Sequence, residues 1–150
     1  MKNTSYRLEN YTRRGAEETL LLRNGCFFAD LEQTKTIWVY DHLYPLIVLG
    51  DMTGDGKDEA AVVLRRESGA SARMEILVLF AINGDELQQI ASVQIGQLPT
   101  THYPHTKSII IRDGILTINN ESENFPDASE PLTKYQVNYR FAEGELVVHP

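Results

Sequence analysis

Five residues at alternate positions of one short segment can each offer an oxygen atom to a cation. They are Asp51, Thr53, Asp55, Lys57 through its main-chain carbonyl, and Glu59. Gly54 and Gly56 lie between them and give the backbone the freedom to curl tightly. Calcium binds about six to eight oxygen ligands in flexible geometry, whereas magnesium requires a tighter octahedron. The spacing therefore predicts a calcium-binding loop that a bidentate carboxylate or water would complete.

The loop does not match an EF-hand, because Val62 stands at the twelfth position from Asp51, where an EF-hand requires a glutamate. The residues that follow also have the pattern of a strand rather than a helix. We therefore expect weak affinity, with a dissociation constant on the order of 10⁻⁴ to 10⁻³ M, as in extracellular calcium modules.

A solvated acidic turn is the alternative interpretation of the same residues, because Asp and Gly are also the residues of ordinary turns. The charge count favours a cation. Four carboxylates lie close together against the single ammonium of Lys57, and crowded like charges are unfavourable unless a cation or open water relieves them. These carboxylates belong to Asp51, Asp55, Asp58 and Glu59.

The string GDMTGDGKDEAAVVL resembles the calcium loop and following strand of FG-GAP and VCBS repeats. It resembles more closely the single copy in small bacterial, usually exported, proteins of unassigned function. With less specific strand patterns, the resemblance covers roughly the last two thirds of the chain. It implies the five calcium ligands named above and a periplasmic or secreted location. Thr53 stands where Asn or Asp is usual, and Glu59 where Asp is usual, so the resemblance implies a modified ligand set.

The chain has 150 residues and a net charge of −7, from 21 acidic and 14 basic residues. Its length predicts one domain with a core that needs no disulfide. An acidic surface repels phosphate backbones, so we expect no nucleic-acid partner. Cys26 is the single cysteine, which excludes an internal disulfide. The polar start of the sequence predicts neither a signal peptide nor a membrane span, so the protein is either cytosolic or a mature form whose export signal was removed.

Strand patterns and turn signals predict a mainly β, single antiparallel domain built of consecutive hairpins, sandwich-like or partly closed. Residues 1–18 form a loosely held arm that contributes at most an edge strand, and residues 19–150 form the domain. Asn24-Gly25 predicts a hairpin between the runs 19–23 and 26–29. A run that is apolar on both faces, 60–64, predicts a central strand. The further predicted strands are 36–40, 46–49, 74–80, 87–95, 108–112, 115–119, 134–141 and 146–148.

Three further predictions concern other segments of the chain. Residues 86–93 could form a helix, although the glycine-bounded context favours a strand. The proline-containing segments 98–107 and 120–131 predict loops, the first with His102 and His105 exposed. We expect the pair Arg65-Arg66 to be solvated at a strand end.

These observations favour a non-enzymatic, extracytoplasmic domain with a structural calcium loop, an interaction or structural module whose protein or glycan partner the sequence does not identify. A propeller is excluded because only one loop of this type occurs. A metal-free cytosolic interaction domain is the first alternative. A hydrolase that combines the acidic cluster with His42, His102 or His105 is the second, although no catalytic motif with defined spacing supports it.

Overall fold

The structure is a computed structural model that describes residues 5–8, 18–21, 26–28, 35–38, 46–68, 72–84, 86–95, 102–124 and 133–150. Within these ranges the chain forms strands and turns and no helix. The strands are β1 (Ser5–Leu8), β2 (Glu18–Leu21), β3 (Cys26–Phe28), β4 (Lys35–Trp38), β5 (Ile47–Gly50), β6 (Glu59–Ser68), β7 (Ala72–Asn83), β8 (Glu86–Ile95), β9 (His102–Arg112), β10 (Ile115–Asn124), β11 (Thr133–Ala142) and β12 (Glu145–His149).

The larger sheet has six strands in the order β3-β4-β6-β7-β8, with β5 also paired to β6. All of its pairings are antiparallel. The first half of β6 pairs with β5 and the second half pairs with β4, both along the same edge. This places β6 in the interior of the sheet, as its apolar sequence predicts.

The smaller sheet has four antiparallel strands in the order β12-β11-β10-β9. Two tight turns join its hairpins. Asp113 and Gly114 have φ values of 52° and 74°, and Glu143 and Gly144 have φ values of 54° and 85°. Two successive positive φ angles are typical of the type I′ turn that suits the twist of antiparallel strands. The predicted hairpin across Asp113-Gly114 is confirmed.

The two sheets pack face to face around one apolar core, to which they contribute alternate residues of each strand. β5 contacts β9 along one side and β12 contacts β8 along the other. No ladder joins these pairs among the described strands, so the molecule is a sandwich rather than a closed barrel. The buried members of the core are Leu46, Met52, Ala61, Val63, Leu77, Leu79, Ala91, Ile95, Ile109, Leu116, Ile118, Tyr139 and Leu146.

Residues 59–65 of β6 and 75–80 of β7 are buried on both faces. Alternate residues face the smaller sheet, and the residues between them, such as Val62 and Phe80, are at most 1% exposed. The prediction that 60–64 is a central strand is therefore confirmed. The alternation predicted for 134–141 is also confirmed, because Tyr139 is buried in the core and Val137 and Phe141 pack against it.

The strand partners near the N-terminus differ from the prediction. β2 pairs with β1 in a separate two-stranded sheet, and β3 pairs with β4, so the described parts of the runs 19–23 and 26–29 do not pair as predicted. The predicted turn at Asn24-Gly25 lies outside the described residues. A turn sequence such as Asn-Gly reflects only the local preference of the backbone. It does not determine which strands pair over a long range. β1 belongs to the segment 1–18, for which an edge strand was allowed.

Two predicted loops are partly strand. β9 begins at His102, so the loop prediction for 98–107 was wrong from that residue onward. β10 continues to Asn124, so the prediction for 120–131 was wrong over its first five positions. Pro104 lies in β9, which is an edge strand of its sheet, the position where proline is ordinarily found in a sheet. Residues 86–93 lie in β8, which confirms the strand interpretation.

The described part of the chain contains no helix that is long and apolar enough to cross a membrane.

Candidate metal centre

The predicted loop connects β5 to β6, and its two ends meet as neighbours in the sheet. Gly50, the last residue of β5, lies opposite Glu59, the first residue of β6. Between them, Thr53 through Asp58 are exposed, but Met52 is only 3% exposed and belongs to the core. The loop is therefore exposed over residues 53–58 and anchored in the sandwich by the side chain of Met52.

Asp51 organises the outer part of this loop. Its Oδ1 accepts a hydrogen bond from Gly54 N at 2.6 Å, and its Oδ2 accepts one from Gly56 N at 2.9 Å. The φ angles of Gly54 and Gly56 are 81° and 80°, in the region that only glycine adopts without strain. The two glycines thus let the backbone fold around a single carboxylate.

Glu59 holds the inner part of the loop. It is 3% exposed, and its Oε2 accepts hydrogen bonds from Met52 N at 2.8 Å and from Thr53 N at 3.1 Å. Hydrogen bonds from backbone N–H groups to a carboxylate are charge-assisted and stronger than those to neutral acceptors. Glu59 is therefore bound to the main chain at the start of the loop.

The remaining predicted ligands lie on the exposed part of the loop. Asp55 Oδ1 accepts a hydrogen bond from Lys57 N at 2.9 Å. Thr53, Asp55 and Lys57 are all exposed residues. The structure therefore places four of the five predicted residues in the loop and the fifth, Glu59, at the start of β6, on the inner side of the loop.

The ligand chemistry of the loop fits a hard cation, because all of its polar side chains except Lys57 offer oxygen atoms. Each carboxylate oxygen has two lone-pair positions, so an N–H bond to Asp51 or Asp55 leaves capacity for a cation. No group of three or more His, Cys, Asp or Glu side chains is arranged to hold a metal ion in the described part of the chain. Convergence on a cation would therefore depend on Asp51, Asp55 and main-chain oxygens, with Glu59 engaged by Met52 and Thr53.

Comparison of the chain with models of protein families, with curated proteins and with solved structures gives no match. The likeness to FG-GAP and VCBS loops stays a prediction, supported by the residues of the loop itself.

The start of the loop is pressed against the smaller sheet. A Cβ atom added to Gly50 would lie 2.7 Å from Cγ2 and 2.8 Å from Cβ of Ile111 in β9. Side chains do not approach so closely, so this position requires glycine. Next to it, a Cβ on Gly114 would lie 3.9 Å from the carbonyl oxygen of Asp51. The loop therefore begins where β5 packs closely against β9.

A second polar cluster lies inside the sandwich. Glu75 Oε1 accepts hydrogen bonds from Arg65 Nε at 2.9 Å and Nη2 at 2.6 Å. Glu75 Oε2 accepts from the main-chain N–H of Thr106 at 3.0 Å and from its hydroxyl at 2.6 Å. The side-chain amide of Asn120 lies 3.1 Å from Thr106 Oγ1. All four residues are buried, so this cluster is an internal ion pair that joins the two sheets.

The expectation that the pair Arg65-Arg66 is solvated was wrong for Arg65, which is 8% exposed and paired with Glu75. The side chain of Arg66 lies outside the described part of the chain. A signal for this pair was present in the sequence. Residues 67–71 contain a glycine and two serines, which are typical of a turn, and a hairpin centred on residue 70 places Arg65 directly opposite Glu75, as the register shows. Opposite charges directly across two strands favour each other.

A cavity of about 350 Å³ lies at the smaller sheet and is lined by residues of β9, β10 and β11. Its charged groups are paired with one another: Lys107 Nζ lies 3.2 Å from Glu121 Oε2, and Lys134 Nζ lies 3.6 Å from Glu121 Oε1. Gln136 Nε2 donates a hydrogen bond to Asn119 Oδ1 at 3.2 Å. The two ammonium groups and the one carboxylate that line the cavity are therefore engaged with one another. The lining residues of the cavity are Lys107, Asn119, Asn120, Glu121, Lys134, Tyr135 and Gln136.

The histidines proposed for a hydrolase are not brought together with the loop. His105 lies opposite Glu121 in the ladder between β9 and β10, and His102 lies opposite Asn124 at its far end. The loop adjoins the other end of β9, at Ile111. His42 lies outside the described residues.

Proposed function

We propose that this protein is a non-enzymatic, extracytoplasmic interaction or structural domain in which calcium binds the loop from Asp51 to Glu59 and makes it rigid. The observation that carries the proposal is the arrangement around Asp51. Its carboxylate accepts hydrogen bonds from the N–H groups of Gly54 and Gly56, and Asp55 lies in the same exposed loop. A loop already folded around carboxylates loses little conformational entropy when a cation binds.

The proposal gives Glu59 a different role from the other four residues. Its Oε2 receives two main-chain hydrogen bonds, which hold the loop against β6 whether or not a cation is present. Asp51 and Asp55 would then be the carboxylate ligands, and the exposed Thr53 and Lys57 would supply further oxygens. The extracytoplasmic location rests on the resemblance of the loop and on weak affinity, which suits millimolar calcium.

Calcium titration calorimetry tests the proposal on the full chain. We expect one calcium site with a dissociation constant on the order of 10⁻⁴ to 10⁻³ M, and weaker binding of magnesium. Asp55→Asn keeps the oxygen that accepts from Lys57 N but removes the negative charge, so it should abolish binding without opening the loop. The exposed neighbour Asp58, changed to Asn, is the matched control. Absence of calcium heat from the wild-type chain would refute the proposal.

A metal-free interaction domain is the second candidate, and one observation favours it. The carboxylates of Asp51, Asp55 and Glu59 are already satisfied by five main-chain N–H groups of the loop. Such a loop can be stable without a cation. In that case Asp55→Asn would leave stability unchanged both in calcium and in EDTA.

A further inference from the structure

β9 contains a bulge, and the two residues at the bulge bind carboxylates on opposite sides of the smaller sheet, Thr106 that of Glu75 and Lys107 that of Glu121. Ser108 lies opposite Asn119, but the next paired residue, Asn120, lies opposite Thr106. Lys107 is therefore one extra residue in β9, with no partner of its own in β10. A bulge of this kind changes the direction in which the neighbouring side chains point.

The bulge decides which side chain enters the core. Ile109 is buried between the sheets, and strict alternation along a strand would point Lys107 in the same direction. The extra residue reverses this. Thr106 is 4% exposed inside the sandwich, whereas the Lys107 side chain is 42% exposed and lies beside Glu121 on the outer face. Without the bulge, an ammonium group would enter the core.

Glu75 provides a specific reason for Thr106 to be inside. One oxygen of its buried carboxylate is occupied by Arg65, and the other accepts both the main-chain N–H and the hydroxyl of Thr106. The main-chain N–H of a strand residue ordinarily serves its own sheet. Here it is donated across the sandwich to a residue of β7, which ties the position of the bulge to the opposite sheet.

We propose that Glu75 sets the register of the first half of β9, residues 102–107, by holding Thr106 inside the sandwich. Glu121 forms an ion pair with Lys107 on the outer face. A slip of one residue would exchange the two faces of this half-strand. The second half of β9 is fixed independently, because Ile109 and Ile111 lie opposite Ile118 and Leu116. The buried ion pair thus specifies one strand register out of two.

Nuclear magnetic resonance of the labelled full chain tests this inference through cross-strand contacts. The wild-type chain should show contacts between Thr106 and Asn120. In the double variant Arg65→Met with Glu75→Leu, which removes both buried charges at similar volume, we expect those contacts to weaken and contacts between Lys107 and Asn120 to appear. Contacts between Ile109 and Ile118 should persist. Thr117→Val is the control, because it removes only the outer hydrogen bond to Asn138.

Unchanged contacts between Thr106 and Asn120 in the double variant would overturn the inference. Deletion of Lys107 gives a second test that does not depend on the double variant being folded. With the extra residue removed, a regular strand places Thr106 inside, so we expect a folded protein whose residues Thr106 and Asn120 remain in contact. An unfolded deletion variant, or one without that contact, would also overturn it.

Discussion

The carboxylate of Glu59 accepts a hydrogen bond from the main-chain N–H of Met52 at 2.8 Å, so the first residue of β6 holds the buried start of the loop that precedes it. The same oxygen accepts from Thr53 N. Because the Met52 side chain is part of the core, this contact joins the shape of the loop to the packing of the sandwich. The loop is thereby fixed on its inner side and exposed on its outer side.

Removal of the Glu59 carboxylate should destabilise the protein. Glu59→Ala leaves two main-chain N–H groups without their acceptor, one of them buried, and we expect a loss of about 1–3 kcal/mol in the free energy of unfolding. Glu59→Gln keeps an accepting oxygen and should cost less. Urea denaturation measures both, with the exposed Asp58→Ala as a control expected to change stability by less than about 0.5 kcal/mol. Equal losses for Glu59→Ala and Asp58→Ala would contradict this role.

Substitution of Gly50 should disturb the contact between the two sheets. The added Cβ of Gly50→Ala would meet Ile111 at 2.7 Å, and overpacking of this kind costs about 1–3 kcal/mol. Ile111→Ala provides the space, so the double variant should be less destabilised than the sum of the two single variants. A thermal or urea double-mutant cycle measures that difference. Strictly additive losses would show that the two residues do not press on each other.

The buried ion pair should respond differently to single and double substitutions. Arg65→Met leaves the Glu75 charge buried with fewer partners, and we expect a loss of about 3–5 kcal/mol. Arg65→Met together with Glu75→Leu removes both charges and should recover most of that loss, as measured by urea denaturation. If the double variant were less stable than Arg65→Met, the charge of Glu75 would not be the source of the destabilisation.

Glu121 should titrate below its ordinary pKa. The hydrogen bond from Lys107 is the main cause of the lowered pKa, desolvation opposes it, and the charges of Lys107 and Lys134 lower the pKa further. Because the folded-state pKa is depressed, its contribution to stability is present above the ordinary value of 4.5 and is lost as the pH falls through the lower folded value. Carboxyl resonances followed against pH should show a higher pKa for Glu121 in Lys107→Met. The same pKa in both proteins would contradict the assignment.

Local patterns in the sequence were sufficient where the backbone itself determines the structure. The apolar run from Ala60 to Leu64 identifies a central strand, because only a strand covered on both faces can bury such a run. Asp113-Gly114 identifies a hairpin, because both residues tolerate the positive φ angles of a tight turn. The predicted calcium ligands likewise lie between the end of β5 and the start of β6.

Long-range contacts were not predictable from those patterns. The pairing of β2 with β1 depends on which edges meet, and the burial of Arg65 depends on Glu75 ten residues away and on Thr106 in the other sheet. The inward direction of Glu59 depends on the position of the Met52 backbone. Each of these features comes from the assembled sandwich rather than from a single segment.

The melting temperature in calcium, in magnesium and in EDTA tests the central claim most directly. At a calcium concentration about 100 times the dissociation constant, binding to the native state adds about 2.7 kcal/mol to stability. We therefore expect a rise in the melting temperature of the wild-type chain that is specific to calcium, kept in Asp58→Asn and lost in Asp55→Asn. Equal melting temperatures of the wild-type chain in calcium and in EDTA would contradict a structural calcium loop between Asp51 and Glu59.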